Sequence, residues 1–233
     1  TWIIIRDQLG VAHGHGQFVG VPPQWSVTYR FIIAATGMVA VARFWGHSLK
    51  PNRALLRAAA IIGFFQFAMN FNLVYLAERY VTSGLVALIF ALLLIPNSLL
   101  AWAMLGHRPS KRFLWSAAVA LAGISLLFIN EWRLAPPSGG WLIIIGFGWT
   151  LAGVCCSAIA NVYQATHHVK DHAVPVLLAW AMMIGAAVDA LIALTVAGPP
   201  IIDPRPAYWG GVLYLGLAAS TLCFVLYYPL IRR

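Results

Sequence analysis

Seven stretches of about twenty mostly apolar residues follow one another along this chain, each bounded by Pro, Gly or charged residues. An α-helix rises 1.5 Å per residue, so about twenty residues carry it across the ~30 Å hydrocarbon layer of a membrane. No water is present there to satisfy an open backbone, so only helices and closed barrels span it. A barrel would show segments of about ten residues with alternating apolarity, and none run through these stretches. The chain is therefore read as all-α, a polytopic transmembrane helix bundle. Composition agrees: 61% of the 233 residues are hydrophobic and 9% charged, whereas soluble domains are nearer half apolar and a quarter charged.

The runs cover 25–44, 55–76, 84–105, 113–129, 141–162, 174–196 and 208–230. They count as spans two to eight, because the opening TWIIIRDQL reads as the closing third of span one. Segments such as LKPNR, GHRPSKR, RLAPPSGG and GPPIIDPRP separate them. Trp25, Trp141 and Trp209 stand near predicted ends, where amphipathic rings favour the headgroup layer.

The net charge of +9 would suggest nucleic acid in a soluble protein. Here no polar domain exists to present such a surface, and nucleic-acid binding is set aside. The basic residues instead sort the loops. Arg43, Lys50, Arg53, Arg57, Arg108, Lys111, Arg112, Lys170, Arg232 and Arg233 fall on one side, and Arg79, Arg133 and Arg205 on the other. The richer side is expected to be cytoplasmic, with the N-terminus and residue 233 there and lipid headgroups as partners. Cys155, Cys156 and Cys223 lie inside apolar runs and read as buried apolar thiols.

An internal repeat is legible at an offset of 153 residues. Setting Gly63 against Gly216 aligns IGFFQFAMNFNLVYLAER with LGLAASTLCFVLYYPLIR, pairing Phe71 with Phe224, Tyr75 with Tyr228 and Arg79 with Arg232. The two segments belong to spans three and eight, which run in opposite senses. Inverted repeats are a device of secondary transporters, which alternate access around a central site.

Four stretches carry a family resemblance: TWIIIRDQLG, VPPQWSVTYRF, LVYLAERYVTSGLVALIFALLLIPNSLLAW and AVALAGISLLF. The chain resembles the EamA-type members of the ten-helix drug/metabolite transporter superfamily. Arg6 and Arg30 match the family's basic residues late in span one and early in span two. Thr82, Ser83 and Gly84 match its small-residue turn, and Pro96 its proline in span four. Ala12 to Gly20 reads as an insertion, and His107 stands where the family usually has Glu. The resemblance implies two inverted five-helix repeats around a cavity, here 1–134 and 135–233. The second is expected to be incomplete, without spans nine and ten. It also implies movement of metabolites, amino acids or drugs across the cytoplasmic (inner) membrane, often outward.

Polar groups inside the spans are the candidate site residues. Arg30 costs about 2.5–3.5 kcal/mol at a span centre. It is expected to snorkel to the outer interface and pair with Asp7, beside Arg6; handling an anion is the competing role. Asp189, the one acid well inside a complete span, is weighed as a proton-coupling carboxylate against a hydrated or paired structural one. Thr150, Ser157, Asn161 and Gln164 share one face of span six, and Gln66 and Asn70 one face of span three. Such faces bind solute or join helices at about 0.6 kcal/mol per bond. Tyr75, Asn97 and Trp149 are further cavity candidates. Pro96 is expected to kink span four or free a carbonyl toward the cavity. His13 and His15 lack further ligands and read as solvated rather than metal-binding.

The function expected is secondary transport of a small-molecule solute by alternating access, with no cofactor, no metal and homodimerisation left open. No Walker motif supplies ATP chemistry. The competing class is an integral membrane enzyme acting on lipid or isoprenoid substrates. It would need catalytic groups converging near one membrane face, and no His-rich box or H-E-x-x-H occurs.

Overall fold

Each apolar run becomes a helix, and local chemistry sets the ends. The computed structural model describes residues 21–134, 140–166, 169 and 171–231. Among these are seven helices long and apolar enough to cross a membrane, and no strands. They are α1 Pro23–Phe44, α2 Arg53–Ala77, α3 Ser83–Leu105, α4 Lys111–Leu134, α5 Gly140–Gln164, α6 Val174–Val196 and α7 Pro206–Tyr227, the expected spans two to eight. Asn52 and Thr82 cap α2 and α3, their side chains accepting from the Leu55 and Leu85 amides. Pro23, Pro175 and Pro206 occupy first-turn positions of α1, α6 and α7, where a missing N–H costs nothing. Gly106 ends α3 in the left-handed conformation, φ 75°.

Three helices are not regular. α2 runs as a π-helix over Gly63–Met69, and α7 over Tyr214–Leu222. Such stretches are rare and shift the faces of the turns that follow. At the offset of 153, residues 63–69 fall on 216–222, so both stretches end at matching positions. α3 breaks between Ser83–Ala91 and Leu94–Leu105. Pro96 has no amide to give the Leu92 carbonyl, which instead accepts from Ile95 N at 2.8 Å. The helix thus breaks just ahead of the proline, and the carbonyl that Pro96 releases is taken locally by Ile95 rather than offered to a cavity.

α1 and α6 pack together at the centre. Small residues let them approach, including Ala34, Ala35, Ala42, Ala179 and Ala186. The π stretch of α7 lies on α1 and that of α2 on α6. A Cβ at Gly63 would stand 2.5 Å from the Ala181 carbonyl of α6, and one at Gly216 would stand 3.0 Å from the Arg30 carbonyl of α1. α5 lies along α2, α3 meets α5, and α4 packs against α3 and α5. None of the most apolar window of α4 is buried in protein, as befits a helix solvated by lipid.

The outer end by loop charge is tied by polar contacts to the α6–α7 loop. The Trp25 indole donates to the Gly198 carbonyl (3.1 Å), Tyr29 to that of Ile201 (3.1 Å), and Ser26 bonds Tyr208 (2.8 Å). Trp25 is thus packed, not turned to headgroups; Trp141 is exposed, and Trp209 donates to the Asp203 carbonyl. The thiols differ from expectation. Cys155 and Cys223 are on the outside of their helices, and Cys156 is half-buried; on α5 the polar stripe takes the inward face and turns Cys155 out.

Candidate functional site

A polar residue in hydrocarbon must find a partner inside the bundle, so the stripe of α5 dictates which way that helix faces. Thr150, Ser157, Asn161 and Gln164 are all buried. Ser157 donates to Gln66 Oε1 of α2 at 3.2 Å, and Asn161 Nδ2 donates to the Tyr227 hydroxyl of α7 at 3.5 Å. Thr150 bonds back to the Gly146 carbonyl. Asn70, also on α2, donates to the Gln66 carbonyl at 3.4 Å, and its Oδ1 faces Gly153 of α5. α2, α5 and α7 therefore present amides and hydroxyls to a common interior.

These groups have bonding capacity left over. Asn70 Oδ1, Asn161 Oδ1 and both polar side-chain atoms of Gln164 are buried without a partner among the described residues. Asn97 Oδ1, on α3, is in the same state. A buried acceptor left unpaired costs about 1–3 kcal/mol, so such atoms mark places where water or a solute bonds.

Arg30 departs from its expected place. It is the eighth residue of α1, about 10 Å in from the helix start, and only 2% exposed. It does not snorkel. Its Nε donates to Ser220 Oγ in the π stretch of α7 at 3.1 Å. The guanidinium lies 4.4 Å from the Phe71 ring centre and 5.5 Å from that of Phe31, and it is in hydrogen-bonding contact with the Tyr75 side chain. The reason is that the end of α1 is closed over by the α6–α7 loop, while α2 and α7 offer an aromatic ring and two hydroxyls beside it. Nη1 has no partner among the described residues, and no described acid forms an ion pair with it. Asp7, the expected partner, lies outside the described residues with Arg6, His13, His15, Lys170, Arg232 and Arg233.

Asp189 of α6 is fully buried and accepts from Asn72 Nδ2 of α2 at 2.6 Å. Its Oδ1 is paired with Asn72, and its Oδ2 has no partner among the described residues. Tyr75 is fully buried beside Arg30. Trp149 is corrected: at 40% exposed it stands on the outside of α5, off the stripe, because its neighbour Thr150 takes the inward position.

Sequence reasoning passed over Asn72, Ser220 and Tyr227. Asn72 lies two residues beyond Asn70, off the Gln66 face of a regular helix, and the π stretch before it changes that register. The signal available was Asp189 itself, since a buried acid requires a donor on a neighbouring span.

These features define a class: a multi-pass α-helical membrane protein that carries its polar side chains in the bundle interior rather than on a surface domain. Residues 16–129 match the EamA-like transporter family. The chain belongs to that family, within the drug/metabolite transporter superfamily, and is a multi-pass protein of the inner membrane. It is 31% identical over 218 residues to the protein described as "Uncharacterized inner membrane transporter YedA" of Escherichia coli strain K12. The same identity holds for the proteins so described from E. coli O6:H1 strain CFT073 and O157:H7. The alignment takes in 91% of this chain, which spans 66% of the length of these curated relatives.

Proposed function

We propose that the protein is a secondary transporter carrying small organic solutes across the membrane through the polar interior between α2, α5 and α7. The observation that carries this reading is the unused hydrogen-bonding capacity of Asn70, Asn161 and Gln164, buried where hydrocarbon cannot satisfy it. A helix bundle that only holds itself together has no use for orphaned amides; a passage for polar molecules does. The description of the E. coli relatives as inner membrane transporters supports the same class.

The paired π stretches support division into two inverted repeats, 1–134 and 135–233, each placing an irregular helix against the other's central helix. Rocking of the repeats about the α1–α6 contact gives alternating access. The bonds of Trp25, Tyr29 and Ser26 close the outer end. The loop charges support a cytoplasmic N-terminus and a cytoplasmic residue 233, and outward movement is the direction that the family resemblance implies.

Flux of radiolabelled amino acids and fluorescent organic solutes from proteoliposomes tests this. Saturable flux is expected, falling about tenfold or more in Asn161→Leu and Gln66→Leu, since each lost polar contact to a bound solute is worth about 1.4 kcal/mol. Circular dichroism checks that the variants remain helical. Wild-type rates in both variants would mean that the solute does not pass this face.

A further inference from the structure

The surroundings of Arg30 specify the kind of solute. A guanidinium keeps its charge under all ordinary conditions and has five N–H donors to satisfy. Here it is 2% exposed, with Ser220 and Tyr75 as its polar neighbours and Nη1 without a partner among the described residues. Neutral hydroxyls and the Phe71 face stabilise a cation, but they do not neutralise it. A buried charge is ordinarily balanced by an opposite one. No described acid forms an ion pair with Arg30: Asp189 is engaged with Asn72, Asp203 with Arg205 in the loop, and Glu78, buried one turn beyond Tyr75 at the end of α2, makes no salt bridge to it.

We infer that Arg30 and Tyr75 form the anchor for the carboxylate of an organic monoanion whose apolar body lies against Phe71. The inference rests on the transport reading for its role but not for its binding chemistry. One fixed positive charge matches a monoanion, while a phosphate dianion would leave a charge over. A carboxylate accepts two parallel bonds from a guanidinium, and such charge-assisted pairs are the strong ones. The surrounding rings, Phe31, Phe67, Phe71 and Phe224, pack tilted or edge to face with centroids 4.8–5.3 Å apart. They are an apolar setting that suits a carbon skeleton and disfavours a small hydrated anion.

The test uses the purified protein in zwitterionic phosphatidylcholine nanodiscs, so that no anionic lipid competes. Acetate, hexanoate and phenylacetate are titrated calorimetrically against acetamide, hexanamide and phenylacetamide. Phenylacetate and hexanoate are expected to bind at least about tenfold more tightly than their amides, the equivalent of one charge-assisted bond. Acetate is expected to bind more weakly than either. Arg30→Gln abolishes the preference, Arg30→Lys keeps part of it, and Tyr75→Phe reduces it. The last two variants retain the buried charge and decide the matter if Arg30→Gln fails to fold. No carboxylate preference in the wild type, as an Arg30 already neutralised by Asp7 would give, overturns the inference. So does a preference unchanged in Arg30→Lys and Tyr75→Phe. Flux is measured beside binding. Saturable amide flux without carboxylate preference overturns this inference and leaves the transport reading standing. Preference for the acids with no flux of any solute overturns the transport reading and leaves the anion site standing.

Discussion

Single side chains in this protein are governed by whether they can lose their charge. A carboxyl can take up a proton, but a guanidinium keeps its own. Asp189 meets one amide donor, while Arg30 gathers two hydroxyls and an aromatic face. Asn72→Leu removes the donor to Asp189 and is expected to destabilise the protein by about 1–3 kcal/mol. Unfolding in mixed detergent measures this, and a neutral result would mean that Asp189 finds another partner. In the α6–α7 loop the Asp203 carboxylate accepts from the backbone and guanidinium N–H groups of Arg205, at 2.7–3.0 Å. The Arg205 side chain, foremost, holds its pKa below the usual carboxylate value. A depressed folded pKa gives stability that is full above the unfolded value of about 3.9 and lost as pH falls through the folded one. Thermal melting from pH 6 downward should therefore lose stability below about pH 4, and Asp203→Asn should flatten that part of the curve. The same acid sensitivity in Asp203→Asn would assign it to another group.

At the scale of elements, close helix approach and deliberate irregularity set the shape. Gly63 touches the α6 backbone so closely that a methyl group would stand 2.5 Å from the Ala181 oxygen, whereas Gly84 and Gly123 face open space. Gly63→Ala should cost about 1–3 kcal/mol by forcing α2 from α6, while Gly84→Ala and Gly123→Ala should be neutral or slightly stabilising. Equal effects at the three sites would deny the contact. Pro96→Ala restores the amide that α3 lacks. Because proline costs about 3 kcal/mol in a helix interior, the variant is expected to melt later. Spin labels at 85 and 103 should move apart as α3 becomes continuous, and an unchanged distance would place the cause of the break elsewhere.

Most of this level was legible in the sequence. Run lengths and punctuation give all seven spans to within a few residues, and Pro96 marks the one broken helix. The inward face of α5 follows from spacings of seven, four and three. The π stretches were not legible, because an apolar run supplies hydrogen bonds equally to either helix type. They are also why Asn72 falls on a face that a regular period does not assign. Arg30 was misplaced for a different reason. Its depth from the span end was readable, but the closure of that end by the α6–α7 loop is a long-range contact with no local signature.

For the whole molecule, charge and interior polarity make separate statements. The loop bias of ten basic residues against three gives Arg108 and Lys111 to the cytoplasm and Arg133 to the opposite side. All three are exposed, Arg108 in the α3–α4 loop and Lys111 and Arg133 at the two ends of α4. A cysteine placed at 133 should react with an impermeant reagent added outside intact cells, and one at 108 should not; the reverse would invert the topology. The central claim, that the solute path follows the polar face of α5, is tested most directly by aqueous accessibility along that helix. With Cys155, Cys156 and Cys223 replaced by alanine, single cysteines at 151, 155, 157 and 161 are treated with a charged, membrane-impermeant thiol reagent in proteoliposomes. The account predicts reaction at 157 and 161, slowed by transported solute, and none at 151 or 155, which face outward. Reaction at 151 and 155 with silence at 157 and 161 would contradict it.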